Sequence, residues 1–87
     1  MHAIVWRVTI HEANEADRML RDEFVPGVSQ APGFIAAYWV QTAKNQGTSV
    51  VVFESEEDAR RVADEPAPET DAFSVDTFEL GEVVAHA

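Results

Sequence analysis

Between Ser49 and Ala63 the chain admits few readings. Ser49-Val50-Val51-Val52-Phe53-Glu54 is an almost continuous β-branched and aromatic run, and it ends directly at Ser55-Glu56-Glu57-Asp58. Apolar residues at both alternating sets of positions suit a central strand covered on its two faces. Ser55 and Asp58 stand at capping-box spacing, and the carboxylates of the next turn favour the positive end of a helix dipole. Ala59, Val62 and Ala63 then form a short stripe of small residues, so the helix must lie close against a sheet. A central strand passing without a linker into a capped helix is half of a small α+β architecture.

The flanking segments supply the other half. Ahead of the run, Pro32-Gly33 opens a strand from Phe34 to Thr42, with Phe34, Ala36, Tyr38 and Val40 on one face and Ile35, Ala37, Trp39 and Gln41 on the other. Ala43-Lys44-Asn45-Gln46-Gly47 reads as a hairpin connection, with Asn45 and Gly47 suited to positive φ. The first strand spans about Ala3 to Ile10 and sets Ile4, Trp6, Val8 and Ile10 against Val5, Arg7 and Thr9. Asn14 is the expected cap of the first helix, whose apolar stripe runs through Ala16, Met19, Leu20 and Phe24. Val28 and Ala31 continue that stripe past Pro26-Gly27, so the helix is expected to kink or restart there. Pro66 and Pro68 close the second helix and stiffen the loop through Asp71. The last strand starts near Phe73, with its alternation slipping between Val75 and Phe78 and again around Gly81.

Taken together the chain is strand-helix-strand written twice and joined by a hairpin. That is the βαββαβ order of an α+β, ferredoxin-like sandwich with a four-stranded antiparallel sheet, spanning residues 1–87 as one domain. Both helices then fall on one face, and the other face is left bare. Most of its residues are apolar, and a soluble monomer rarely exposes so large a patch. Pairing with a second copy is the economical cover. The segment from Phe73 to His86 is long enough to reach across and bond to that copy.

Composition narrows the partners. Sixteen carboxylates against six Lys and Arg give a net charge of −10, and eleven of the sixteen lie from Glu54 onward. Such a surface repels phosphate backbones and anionic lipid, so neither nucleic acid nor membrane is an expected partner. The absence of cysteine removes disulfides, thiolate nucleophiles and thiolate metal sites. Without a signal-peptide core or a long apolar stretch, a cytoplasmic setting is expected.

The Pro32-Gly33-Phe34 to Tyr38-Trp39 segment, the Val50–Ser55 strand, the Glu56–Ala63 helix and the closing Gly81-Glu82-Val83-Val84-Ala85-His86 resemble the dimeric α/β-barrel superfamily. Within it they look like the small antibiotic-biosynthesis-monooxygenase-like (ABM-like) proteins. The resemblance implies a homodimer whose two sheets curl into a barrel-like cavity for a small aromatic or apolar ligand. Some relatives bind polyketide quinones or haem, and some oxidise their ligand with no metal or flavin, so no cofactor is expected.

Oxidation without a cofactor needs an electron-rich substrate in an apolar pocket, with polar groups to take a proton and stabilise the anion. The candidate pocket residues are Arg7, Tyr38 and Trp39, with Trp6 as a fourth. Tyr38 and Trp39 are adjacent on a strand, so only one of them can line the cavity; the other is a packing residue. Arg7 interrupts an apolar strand and is suited to an anionic ligand, or equally to a cross-strand acid such as Asp76 or Glu79. The histidines His2, His11 and His86 lack metal-ligand spacing, and Ser29, Ser49, Ser55 and Ser74 lack an arranged base. Arg7 or Thr9 stands where haem-degrading relatives would carry an Asn, which speaks against haem degradation. With no acid–base pair assembled, the favoured reading is a ligand-binding or accessory dimer without catalytic residues. The alternative is a cofactor-independent monooxygenase acting on an aromatic or polyketide-like substrate.

Overall fold

The computed structural model describes residues 1–66 and 68–87, so the expected proline-stiffened loop is described only on either side of Ala67. The elements are β1 (His2–Ile10), α1 (Ala13–Met19), a π-helical stretch (Leu20–Phe24), α2 (Val25–Ser29), β2 (Phe34–Ala43), β3 (Gln46–Phe53), α3 (Glu56–Ala63) and β4 (Phe73–Glu82). The four strands form one antiparallel sheet in the order β2-β3-β1-β4. The ferredoxin-like α+β sandwich is therefore present, with β1 and β3 central.

The core lies between this sheet and the helices. Ile4, Val51, Phe53 and Ala59 are fully buried, and Val28, Ala31, Phe34, Ala37, Val62 and Leu80 pack around them. Cross-strand register explains the grouping, because Ala37, Val51, Ile4 and Leu80 form one row across all four strands. Residues opposite each other on neighbouring strands share a face, so a single row joins the core across the whole sheet.

Several local expectations need correction. The first helix starts at Ala13 with Glu12 in the cap position and no side-chain cap, so Asn14 is already inside it. The kink at Pro26 takes a specific form. Pro26 has no N–H and its ring clashes with the preceding turn of a regular helix. The chain widens just before it into a π turn, in which the Val25 N–H donates to the Leu20 carbonyl. A regular helical turn then resumes with Pro26 in its first turn, where no donor is needed.

The register of β2 shifts between Phe34 and Ala36, which places Ile35 in a bulge. Phe34 consequently stands beside Phe53 on the helix side, while Ala36, Tyr38 and Val40 share the opposite face. Phe34 and Ala36 are therefore not on one face, contrary to simple alternation. The hairpin turns at Lys44-Asn45, with Asn45 at φ 62°, whereas Gly47 lies within β3 and takes no positive φ. A bulge in β4 falls at Asp76, as the slip between Val75 and Phe78 suggests. None occurs at Gly81, which pairs in register with Ala3. Regular pairing of β4 ends at Glu82, short of His86, although the Val83 N–H still donates to the Met1 carbonyl at 2.9 Å.

The start of α3 carries the Ser55 half of the expected capping box, while the Asp58 carboxylate meets the Ser55 hydroxyl instead of its backbone N–H. The Asp58 N–H donates to Ser55 Oγ at 3.1 Å, and the Ser55 hydroxyl donates to Asp58 Oδ2 at 2.9 Å. Replacing Ser55 by alanine leaves that N–H without its acceptor and is expected to cost about 1 kcal/mol. Urea unfolding should report this as a lower midpoint with an unchanged slope.

Candidate functional site

The sheet presents two surfaces of different chemistry. On the face away from the helices, Ala36, Val52 and Ala3 form one row, Tyr38, Val50 and Val5 the next, and Val40, Thr48 and Arg7 a third. β4 completes these rows with Gly81, Glu79 and Thr77. Tyr38 and Val40 on this face are exposed, Tyr38 at 64%, as is the bulged Ile35. Among the described residues no helix covers this face, and its apolar rows grade into a polar end at Arg7, Thr9 and Thr48.

On the helix side, a different row carries the aromatic groups. Trp39, Ser49, Trp6 and Phe78 stand opposite one another across the four strands. The Trp6 and Phe78 rings are stacked, with centroids 6.2 Å apart and planes 24° apart. Ser49 is buried within the row, yet Phe78 is 47% exposed and Val75, one pair further along the same side, is 42% exposed. Phe24 from the π turn packs edge-on to Phe73 near the end of the sheet, and α3 lies over the Ile4–Val51 region. The helices thus roof the two ends better than the aromatic row between them, at least toward β4.

The four candidates named from the sequence therefore separate into two pairs. Arg7 and Tyr38 belong to the open face; Trp6 and Trp39 belong to the helix side. They do not line one pocket. The reason is the strict alternation of a strand, which sends Trp6 and Arg7, like Tyr38 and Trp39, to opposite surfaces. Phe78 was not among the candidates. Its place beside Trp6 depends on the bulge at Asp76, and only the register reveals it.

Two shallow recesses mark the open face. One, of about 150 Å³, is bordered by Arg7, Thr42, Gln46, Thr48, Asp76 and Thr77. The other, of about 300 Å³, lies where Ala3 and Val5 meet Gly81, Val83 and Val84. Small-molecule pockets usually enclose about 300–1,000 Å³, so the first is too small and the second is no more than the lower limit. Both open broadly to the surface, and on this face only a second surface could close them.

The polar groups are mostly tied to local structure. The Thr9 hydroxyl donates to Asp76 Oδ2 at 2.6 Å. His11 Nε2 lies 3.0 Å from Ser74 Oγ, so Ser74 does have an imidazole neighbour, contrary to the sequence reading. That contact spans 63 positions, beyond the reach of any local motif. It is exposed, and among the described residues no carboxylate orients the imidazole: Asp76 is engaged by Thr9 instead. The contact has neither the third group nor the enclosure that an activated serine requires.

Charge is similarly local. Arg18 serves Glu15, Asp22 and Glu23, Arg21 serves Asp17, Arg60 serves Glu56, and Arg61 serves Glu57 and Asp58. The hydrogen bond from Arg18 holds the Glu15 carboxyl below the usual carboxylate range, and Glu15 in turn raises Arg18. Both groups are on solvated α1, away from either recess. Among the described residues, no cluster of three or more His, Asp or Glu could hold a metal ion, and no helix is long and apolar enough to cross a membrane.

Comparison with known proteins bears on the fold. No family model matches the chain, and no curated protein does. Among solved structures, the chain is similar to SnoaB from Streptomyces nogalater, described as a cofactor-independent oxygenase and solved in a mutant form. The TM-score is 0.71 at 16% sequence identity, over 98% of this chain and 94% of that one. The ferredoxin-like α+β fold expected from the sequence is therefore the fold present.

Proposed function

We propose that this chain is a homodimeric ABM-like protein that binds a small aromatic or apolar molecule, in a ligand-carrying or accessory role. The observation that carries the ligand reading is the aromatic row. Trp6 and Phe78 offer stacked rings that the chain's own helices leave partly uncovered, and Trp39 extends the same row. Aromatic side chains that are part-buried yet accessible suit stacking against a flat ligand. The homodimer rests on the other surface, where Tyr38 and Val40 stand exposed beside Val5 and Val50 with no helix over them among the described residues. A cytoplasmic location fits this reading.

The likeness to SnoaB favours a second reading, cofactor-independent oxygenation, for which the aromatic row would suit an aromatic or polyketide-like substrate. That chemistry needs a base at the substrate's acidic proton and donors for the resulting anion. Arg7 and Tyr38 have the right functional groups but lie across the sheet from the tryptophans, so the accessory role is preferred.

A thermal-shift screen against quinones, aromatic polyketides and haem tests the binding, followed by oxygen-uptake measurement on any ligand that stabilises the protein. Stabilisation without oxygen consumption supports the accessory role; oxygen consumption replaces it with the oxygenase. Failure of every compound to stabilise the protein removes the ligand reading. A bound aromatic is also expected to quench the tryptophan emission, and Phe78→Ala should weaken its binding about tenfold through loss of the stacking partner. Unchanged affinity in that variant would show that the ligand lies elsewhere.

A further inference from the structure

Of the five arginines in the chain, four are engaged on helix surfaces by carboxylates within five residues of them. Arg7 is the exception. It projects from central strand β1 on the uncovered face, and among the described residues it makes no ion pair. Its direct neighbours across the strands are Thr48 and Thr77. On the same face Glu79 stands opposite Val5, exposed, and among the described residues also without an ion pair. Asp76, the other acid nearby, also makes no ion pair among the described residues, but its Oδ2 accepts from the Thr9 hydroxyl, whereas Glu79 has no such partner among them. Arg7 and Glu79 are thus set, without ion pairs or hydrogen bonds of their own among the described residues, beside Val5, Val50, Val40 and Tyr38 on the face away from the helices.

Covering that face with another protein surface would strip water from Arg7, which is costly unless a carboxylate or an array of acceptors receives it. A two-fold interface offers each copy the other's face, so every contact between residue i and residue j occurs twice. We propose that Arg7 of each subunit pairs with Glu79 of the second copy, giving two symmetry-related ion pairs that set the register of the dimer. This rests on the homodimer proposed above and adds to it the residues that determine how the copies align. A chain of net charge −10 repels its own copy. Two such pairs place opposite charges where the copies meet, and the apolar rows around them supply the burial.

Charge exchange in trans tests the pairing. Arg7→Glu and Glu79→Arg each set like charges against each other in their own homodimers. Each is expected to raise the dimer dissociation constant roughly tenfold or more in sedimentation at micromolar concentrations. Mixing the two variants creates heterodimers in which both contacts are again opposite in sign, and a dimer of near wild-type strength should reappear. An ion pair within one chain cannot give that result, because each variant chain carries like charges at both positions.

Circular dichroism establishes that each variant is folded. If one is not, Arg7→Gln and Glu79→Gln replace them, and each should reduce the salt dependence of dimerisation seen in the wild type. A wild-type chain that sediments as a monomer overturns the homodimer and this pairing with it. Single variants that dimerise as tightly as wild type overturn the pairing alone. Weak variants that fail to recover on mixing also overturn it, because the effect then lies within one chain. Inorganic phosphate or benzoate that stabilises the wild type but not Arg7→Gln, with dimerisation unchanged, would make Arg7 an anion site and overturn it too.

Discussion

Phe53→Ala is expected to destabilise the fold by about 3–5 kcal/mol, the usual cost of deleting a fully buried phenylalanine. Phe53 ends β3 with 0% exposure and meets Phe34 edge-on, centroids 6.4 Å apart and planes 79° apart. Ala59 of α3 and Ile4 and Val51 of the sheet belong to the same buried cluster. The position therefore joins sheet, bulged strand and helix at once. Ala59 is too small to move into the space, and Phe34 is held by the strand register, so collapse of the cavity is limited.

A domain of this size has about 5–15 kcal/mol of total stability, so one substitution consumes a large share. At about 4–8 °C per kcal/mol, thermal unfolding should fall by at least about 12 °C. The comparison must be made at one protein concentration, because dimerisation would itself raise the midpoint. Val75→Ala, at an exposed position of the same sheet, should shift the midpoint far less. Equal losses at Phe53 and Val75 would show that Phe53 does not belong to the core.

The element order was legible because each segment carries a period or a boundary of its own. The Val50–Phe53 run, the Ser55 cap and the polar Asp76-Thr77 break in β4 all survive in the structure. The bulge at Ile35 was not legible, because Phe34-Ile35-Ala36-Ala37 is apolar throughout and an extra residue leaves no gap in the pattern. Asn14 outranks Glu12 as a cap by side-chain chemistry, yet the helix begins at Ala13. The His11 and Glu12 N–H groups both donate to the Ala72 carbonyl, a long-range anchor invisible to local rules.

The candidate site was legible by residue type and illegible by face. Trp6, Arg7, Tyr38 and Trp39 stand out in any reading as large or charged groups in apolar strands. Which of them meet depends on register across the strands, and in β2 on the bulge that precedes Tyr38. Arg7 shows the same limit in its charge. Glu79 and Asp76 both looked available from the sequence; Asp76 accepts from the Thr9 hydroxyl, and Glu79 makes no hydrogen bond or ion pair among the described residues.

Gly33→Ala should be nearly as damaging as the loss of Phe53, for a reason that contains no cavity. Gly33 adopts φ +78°, in the left-handed region that costs a residue with a Cβ about 1–2 kcal/mol. A Cβ there would also stand 2.1 Å from Asp58 Oδ2 and 2.5 Å from its Cγ. Asp58 cannot withdraw freely, since it accepts from Ser55 and from Arg61 at 3.2 Å while its own N–H is held by Ser55. Nor can Gly33, whose carbonyl accepts the Glu54 N–H at 2.8 Å and ties the entry of β2 to the exit of β3. Strain and overpacking together give an expected loss of about 2–5 kcal/mol. Gly27→Ala provides the contrast, because a Cβ there meets nothing within 4 Å and the site is helical, so stability should hold or rise by up to about 1 kcal/mol. A double-mutant cycle separates the two causes. In an Asp58→Ala background the carboxylate contacts are gone and only the Cβ approach at 2.9 Å remains, so the cost of Gly33→Ala should fall toward the left-handed penalty of about 1–2 kcal/mol. The same loss in both backgrounds would mean that the close approach of Gly33 to the α3 cap contributes nothing.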